Sequence, residues 1–269
     1  MTDSKKATIV VTFLAAFMLC ACLLPSLIPS VQKIIDNPSE KTGGDTAGEP
    51  RSVTLRQGDY LWFGAYRAEP LLWQVIGTDE GGHPLLLANE AICFKAFDVP
   101  GASGDASPDI QAYGSSDWEN STLKRWLNSS ADEGEAYGEK GFLFGENFTA
   151  EQRESIAQPG VFIPSKAQLK NAAQVMPLKK HCRVSAADEN DYLVPPSQTV
   201  WYWTQTPNAV SRVSVVCVTS SGGFYKTLAN DKNTGVCPAF CFNTKTVSVT
   251  GGSGSRSAPY SVAEGGAAK

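Results

Sequence analysis

Two cysteines lie four positions apart near the C-terminal end of this 269-residue chain, at Cys237 and Cys241. Residues that are two or four apart on a β-strand share one face, so both thiols would point the same way. Paired thiolates can hold Cu(I) or Zn, but a metal site needs further ligands. The chain has only two histidines, His83 and His181, and both fall in predicted loops. The sequence therefore predicts no metal site and no cofactor.

The cysteine content also permits a disulfide. Five of the seven cysteines lie beyond the first 22 residues, and because five is odd, at least one thiol stays free or pairs between chains. We predict a cross-strand disulfide from Cys217 to Cys237 or Cys241, and buried free cysteine is an equal alternative.

Other catalytic arrangements have little support in the sequence. A Ser-His-Asp or Cys-His site needs a histidine beside the nucleophile, and the adjacent His181 and Cys182 are not oriented for proton transfer by being neighbours. Acidic residues that could form a glycosidase pair are Asp117, Glu119, Asp188, Glu189 and Asp191, and the run from Asp188 to Asp191 could also offer oxygens to Ca²⁺. Nothing in their spacing selects a pair, so no catalytic residue is predicted.

The tryptophans offer binding surface instead. Trp62, Trp73, Trp126 and Trp203 lie within strand or helix patterns and are predicted to be core residues. Trp118 and Trp201 lie near loop junctions, where an exposed ring can stack on a sugar or a peptide side chain. These two are the sequence's candidate ligand-binding aromatics.

An uncharged N-terminal stretch bears on where any site works. Residues 7–32 contain no charged side chain, and two lysines precede them. About 18 apolar residues suffice to cross a bilayer as a helix, and preceding lysines favour export of the C-terminal part of the chain. We predict a cytoplasmic segment 1–6 and a transmembrane signal anchor over 7–28. A lipoprotein signal with Cys22 as the lipid-bearing residue, or a cleaved signal peptide, is the alternative.

The rest of the chain divides by composition. Residues 29–52 are predicted to be a flexible linker, 53–249 an exported globular domain and 250–269 a disordered, small and polar tail. The net charge of −4 and the absence of a basic stripe argue against a nucleic-acid partner.

The element pattern predicts an α+β fold of mostly antiparallel strands with a few short helices. Alternating aromatic and aliphatic runs predict strands in the first and last thirds of the domain, including 200–204, 213–219, 224–228 and 236–242. Thr149-x-x-Gln152 and Ser165-x-x-Gln168 predict capped helices between them.

Several segments in a fixed order resemble a bacterial family known as domain of unknown function 6273. They are YLWFGAY (60–66), LLWQVIG (71–77), DWENSTLKRWLNSS (117–130), FTAEQRESI (148–156), VFIPSKAQL (161–169), WYWTQTP (201–207) and GVCPAF (235–240). The resemblance spans roughly residues 53–249. The family's layout looks similar to the C-type-lectin-like fold of formylglycine-generating enzymes and bacterial surface receptors, which is a fold analogy and assigns no function.

Two departures from the family pattern are informative. The family usually has arginine where this chain has Gln205 and Cys237, and neither side chain replaces the five fixed donors of a guanidinium. We expect a membrane-anchored bacterial surface protein with a non-catalytic domain that binds a glycan, a peptide or an envelope protein through Trp118, Trp201 and Gln205. The alternatives are an oxidase of the formylglycine-generating type using Cys237 and Cys241, and a structural envelope domain.

Overall fold

A computed structural model describes residues 49–102, 104–134, 136–174, 176–183 and 198–267, with the side chains of 264–267 excepted. Within these ranges no helix has the length and apolar character that crossing a bilayer requires. The predicted anchor 7–28, its alternative lipid-bearing Cys22 and the predicted linker up to residue 48 lie outside the described residues.

The domain opens with antiparallel strands, as its alternating pattern predicts. They are β1 (Arg51–Thr54), β2 (Tyr60–Tyr66), β3 (Glu69–Thr78), β4 (Pro84–Ala88) and β5 (Cys93–Phe94). β2 and β3 form a hairpin whose turn residues Arg67 and Ala68 have φ angles of 53° and 62°. Positive φ at both central positions is the backbone that the tightest two-residue hairpin turns require.

Short helices occupy the middle of the domain. They are α1 (Pro108–Tyr113), α2 (Thr122–Leu127), α3 (Ala150–Glu154) and α4 (Lys166–Ala172). Both predicted capping boxes are present: Thr149 Oγ1 accepts a hydrogen bond from the Gln152 amide, and Ser165 Oγ accepts one from the Gln168 amide, each at 3.2 Å. α2 is capped in the same way by Ser121. Local side-chain chemistry therefore fixes where these helices begin.

The last third returns to strands, as predicted. They are β6 (Lys180–His181), β7 (Thr199–Val200), β8 (Tyr202–Asn208), β9 (Ser211–Val218), β10 (Phe224–Leu228), β11 (Gly235–Val236), β12 (Ala239–Cys241), β13 (Thr246–Gly251) and β14 (Tyr260–Ala267). The single strand predicted over 236–242 is two strands in different sheets. The chain passes from one sheet to the other at Cys237 and Pro238, where proline has no amide hydrogen to continue a ladder.

The larger sheet contains the C-terminus of the domain. Its described strands run in the order β1-β13-β14-β2-β3-β4-β12, and each neighbouring pair is antiparallel except β14 and β2, which are parallel. The prediction that 250–269 is a disordered tail is therefore wrong for Tyr260–Ala267. These residues are small and polar in part, but they are held by backbone hydrogen bonding between β13 and β2.

A second sheet of five described strands runs in the order β10-β9-β8-β11-β5, with only β11 and β8 parallel. β6 and β7 form a separate antiparallel pair. Most strand pairs are thus antiparallel and the helices are short, which confirms the α+β class predicted from the sequence.

The core is rich in aromatic side chains. Trp73, Trp126 and Trp203 are fully buried, as predicted. Trp73 Nε1 donates to the Phe63 carbonyl at 2.7 Å, so the one polar atom of its ring is satisfied. Trp62 is an exception to the prediction, because 39% of its surface is exposed. Its neighbours Leu61 and Phe63 on β2 are buried, and alternation along a strand turns Trp62 outward.

Candidate functional site

Two of the three predicted binding residues come together in one cleft. Trp118 and Gln205 both line a concave surface of about 550 Å³, which we call the Trp118 cleft. Its other lining residues are Asp105, Ser115, Ser116, Asp117, Asn120, Pro207 and Arg212. One wall comes from the segment between α1 and α2, and the other from β8 and β9. A cleft between a loop and a sheet is a usual place for a ligand.

A glycine starts the loop wall of the cleft. Gly114 follows α1 with φ of 75°, a backbone that favours glycine. A Cβ at this position would lie 2.5 Å from the Asp98 carbonyl oxygen. Gly114 thus allows the chain to turn out of α1 while passing directly over Asp98.

The buried Asp98 carboxylate fixes both ends of that loop. Its Oδ2 accepts from the Ser115 amide at 2.8 Å. Its Oδ1 accepts from the Thr122 amide at 3.0 Å and from Thr122 Oγ1 at 2.8 Å. Because Asp98 has no exposed surface, these bonds replace the water that the carboxylate loses on burial. The loop that carries Trp118 is therefore held at both of its ends.

Trp118 forms the floor of the cleft rather than a projecting platform. Only 9% of its surface is exposed, and its ring packs on Phe97 with 5.8 Å between ring centroids. Phe97 in turn contacts Trp203 in the core. The ring offers a narrow apolar strip, so recognition in this cleft depends mainly on the polar groups around it.

Asp117 and Asn120 form a polar rim beside Trp118. Asp117 Oδ1 accepts from the Glu119 amide at 3.0 Å, and Oδ2 accepts from Asn120 Nδ2 at 2.6 Å. Both rim side chains are exposed, so a carboxylate and an amide are presented in a fixed relative position. Each has remaining lone pairs or an N–H that can meet a ligand.

An ion pair borders the cleft on the sheet side. Arg212 Nη2 lies 2.7 Å from Asp105 Oδ2, and the Arg212 carbonyl accepts from the Ser116 amide at 2.8 Å. Hydrogen bonds from Ser107, helped by Arg212, lower the pKa of the Asp105 carboxyl. Asp105 therefore stays ionised at neutral pH and holds one edge of the Arg212 guanidinium.

Gln205 is the polar group on the β8 wall. Its backbone amide donates to the Pro164 carbonyl at 3.3 Å, which ties β8 to the segment before α4. Gln205 is half-buried and lines the cleft, and its side-chain amide has two N–H donors and one acceptor oxygen. The cleft thus combines amides, carboxylates and one guanidinium in a small volume.

The comparisons with known proteins concern the part of the chain that contains Gln205. Residues 161–244 match the model of a family described as Domain of unknown function (DUF6273). Over this stretch, which is about a third of the chain, the sequence is similar to the DUF6273 family. The resemblance predicted from the sequence is confirmed there. No curated protein and no solved structure matches the chain.

The DUF6273 stretch contributes β8 and β9 to the cleft, whereas Asp105 and the loop from Ser115 to Asn120 precede it. Of the two positions at which the resemblance led us to expect arginine, Gln205 lines the cleft and Cys237 is fully buried. The guanidinium that the cleft presents comes from Arg212, which also lies within the matched stretch.

Trp201, the third predicted binding residue, lies away from the Trp118 cleft. It is half-buried and packs edge-on against Tyr225 of β10, with 5.9 Å between ring centroids. Tyr225 is 60% exposed. The pair is a small aromatic surface on the five-stranded sheet, separate from the residues that line the cleft.

The cysteines do not form the predicted disulfide. Cys217, Cys237 and Cys241 are buried free thiols, which is the alternative that the sequence left open. Cys217 lies on β9, and Cys237 follows β11 on the far side of β8. Two strand spacings are about 9.6 Å, beyond the Cα separation that a disulfide can bridge. Cys241 lies on β12 in the other sheet.

Burial also makes these thiols unreactive. It raises the pKa of Cys217 and of Cys237 to about 12, and that of Cys241 to about 11. The thiolate is the nucleophile and the metal ligand, so these groups are poor at both tasks near neutral pH. No cluster of three or more potential metal ligands occurs in the part of the chain that the structure describes. The acidic run from Asp188 to Asp191 lies outside it.

Sequence reasoning missed several cleft residues. Asp105, Asn120 and Arg212 are single polar residues in loops or on a strand edge, and no local pattern distinguishes them from solvated side chains. The exposure of Trp62, which is not a cleft residue, could have been predicted from the sequence. Trp62 lies between two buried hydrophobic positions on a strand, and alternation along the strand turns its side chain outward.

Proposed function

We propose that this chain is a membrane-anchored bacterial cell-surface protein whose folded domain binds a ligand without transforming it. The observation that carries the proposal is the convergence of Trp118, Gln205 and Arg212 with a rim carboxylate and amide in one cleft of about 550 Å³. A largely pre-formed concave site with a few convergent polar groups is typical of ligand recognition.

The composition of the Trp118 cleft favours a hydroxyl-rich ligand, and we propose a glycan. Sugar hydroxyls both donate and accept, and Asp117, Asn120 and Gln205 offer acceptors and donors on opposite walls. The charges are two carboxylates and one guanidinium, of which Asp105 and Arg212 pair with each other. The net negative charge disfavours an anionic ligand.

The location belongs to the same proposal. The uncharged segment 7–28 would cross the membrane once and place the domain outside, with lipidation at Cys22 as the alternative anchor. The analogy to the C-type-lectin-like fold is also part of it. Two mostly antiparallel sheets, with short helices between β5 and β6 in the chain order, are compatible with that analogy.

The oxidase alternative is not favoured by the geometry. It needs Cys237 and Cys241 to act together, but Cys237 lies in the link between the two sheets and Cys241 lies on β12. Both thiols are buried and have raised pKa values. A structural envelope domain would not require a polar cleft built around a fixed loop.

A glycan array probed with the full-length chain in detergent tests the proposal. We expect saturable binding to one class of neutral glycan, with no comparable signal on a matched peptide array. Absence of any glycan signal at about 100 μM protein, where even weak lectin-type affinities register, would reject the glycan assignment. Selective binding to peptides would replace it.

A further inference from the structure

A second pocket lies on the larger sheet, at the ends of β2, β3 and β4, where Arg183 follows β6. Its volume is about 320 Å³, and we call it the Arg183 pocket. It is lined by Trp62, Glu69, Pro70, Leu71, Leu72, Ala88, Asn89, Glu90, Ile92, Cys182 and Arg183. It shares no lining residue with the Trp118 cleft.

Arg183 is held rigidly in this pocket. Its side chain is 9% exposed, and Nη2 lies 2.8 Å from Glu69 Oε2 and donates to the Pro70 carbonyl at 3.0 Å. The Arg183 backbone amide donates to the Ala91 carbonyl at 3.1 Å, so the main chain is fixed as well. A guanidinium that is already oriented loses little freedom on binding a ligand.

One donor nitrogen of that guanidinium has no hydrogen-bond partner among the described residues. Arg183 Nη1 is buried and makes no hydrogen bond to any residue that the structure describes. Buried polar groups are usually hydrogen-bonded, and an unsatisfied one in a native structure calls for an explanation. A ligand oxygen that enters the pocket beside Arg183 would supply the missing acceptor, and a carboxylate is the acceptor that best matches a guanidinium.

The rest of the lining favours a positive charge on the same ligand. Glu90 adds a second carboxylate to that of Glu69, so the pocket carries one cation and two anions. Trp62, with 39% of its surface exposed, adds an aromatic face. An ammonium group is attracted both by carboxylates and by an indole ring.

We propose that the Arg183 pocket binds a small zwitterion of the free amino acid class. The ligand's carboxylate meets Arg183, and its ammonium group lies near Glu90 and the Trp62 ring. The volume of about 320 Å³ is at the small end of ligand pockets, which suits an amino acid or a dipeptide and excludes an oligosaccharide.

Calorimetric titration of the full-length chain with single free L- and D-amino acids tests the proposal. We expect at least one to bind, and its amidated and N-acetylated analogues to bind at least tenfold more weakly because each lacks one charge. The proposal is overturned if no free amino acid binds at about 10 mM, or if blocked analogues or neutral monosaccharides bind equally well.

Variants locate the binding. Trp62→Ala changes an exposed residue and should weaken amino acid binding several-fold, and Glu90→Gln should do the same. Arg183→Lys keeps the charge but loses the planar fork, and should weaken binding at least tenfold. Tyr225→Ala, another exposed aromatic, is the matched control and should have no effect.

The glycan proposal and the amino acid proposal can be rejected independently of each other. Gln205→Ala should leave amino acid affinity unchanged, and Trp62→Ala should leave glycan binding unchanged. Unaltered amino acid affinity in Trp62→Ala and Arg183→Lys, with both variants folded by circular dichroism, would place the amino acid elsewhere and reject this pocket.

Discussion

Lys180 on β6 is a residue whose burial has a measurable consequence. Burial lowers the pKa of its amine to about 8, with Arg256 acting in the same direction and Cys237 and Glu90 opposing. The unfolded chain keeps this proton up to the ordinary value of 10.5, whereas the folded chain releases it near 8. The unfolded state therefore binds more protons between these values, and the contribution of Lys180 to stability rises with pH across that window.

We predict that Lys180→Met increases the free energy of unfolding at pH 7 by roughly 1–3 kcal/mol, because it removes a buried charge. The stability gain should shrink between pH 8 and 10.5. Titration of the buried thiols lowers the stability of both proteins above pH 9. The quantity to follow is therefore the difference in the free energy of urea unfolding between variant and parent, in which this shared contribution cancels. Lys179→Met alters an exposed neighbour and is the control. A variant less stable than the parent at pH 7 would contradict this account.

The loop that forms one wall of the Trp118 cleft begins at Gly114, and its path depends on the positive φ of that residue. Gly114→Ala adds a strained positive φ and a contact of 2.5 Å with the Asp98 carbonyl oxygen. We expect the free energy of unfolding to fall by about 2–4 kcal/mol and glycan affinity to decrease, because Asp98 and the loop that it holds must shift.

Gly58→Ala is the matched control for that substitution. Gly58 has φ of 98° and nothing within 4 Å of a built Cβ, so alanine adds backbone strain without a clash. Urea unfolding should separate the two variants by more than about 1 kcal/mol, with only Gly114→Ala reducing glycan affinity. Equal effects of the two would mean that the Asp98 contact is not important.

The elements that the sequence predicted are those with local causes. The Thr149 and Ser165 capping boxes need only residues three positions apart, and β4 follows from a short apolar run. The division of 236–242 between two sheets could not be predicted, because it depends on which distant strands lie beside Val236 and Phe240. Arg212 joins the cleft through contact with Asp105, far away in sequence, and no local pattern encodes that.

At the scale of the whole molecule, the last described strand, β14, is an interior strand of the larger sheet. β14 lies between β13 and β2, so removing it would expose two strand edges inside the sheet. We predict that a chain ending at residue 251 loses cooperative thermal unfolding, whereas one ending at residue 267 keeps it. Protease resistance and circular dichroism measure both. A truncated chain that melts like the parent would show that β14 is dispensable.

Only part of the candidate site could be predicted from the sequence. The sequence alone identified Trp118 as an aromatic residue near a loop junction. It identified Gln205 as a position where the family resemblance led us to expect arginine. Trp201 was grouped with them, but it packs on Tyr225 instead. Whether two such residues share a cleft depends on how the loop after α1 meets β8, which only the folded chain determines.

The central claim is that the Trp118 cleft binds a glycan. The most direct measurement is a calorimetric titration of the strongest array ligand into the parent, Gln205→Ala and Tyr225→Ala. We predict that Gln205→Ala weakens binding at least tenfold, about 1.4 kcal/mol, because it removes the β8 hydrogen-bonding group, and that Tyr225→Ala binds like the parent. Equal affinity of parent and Gln205→Ala, with both folded, would contradict the account.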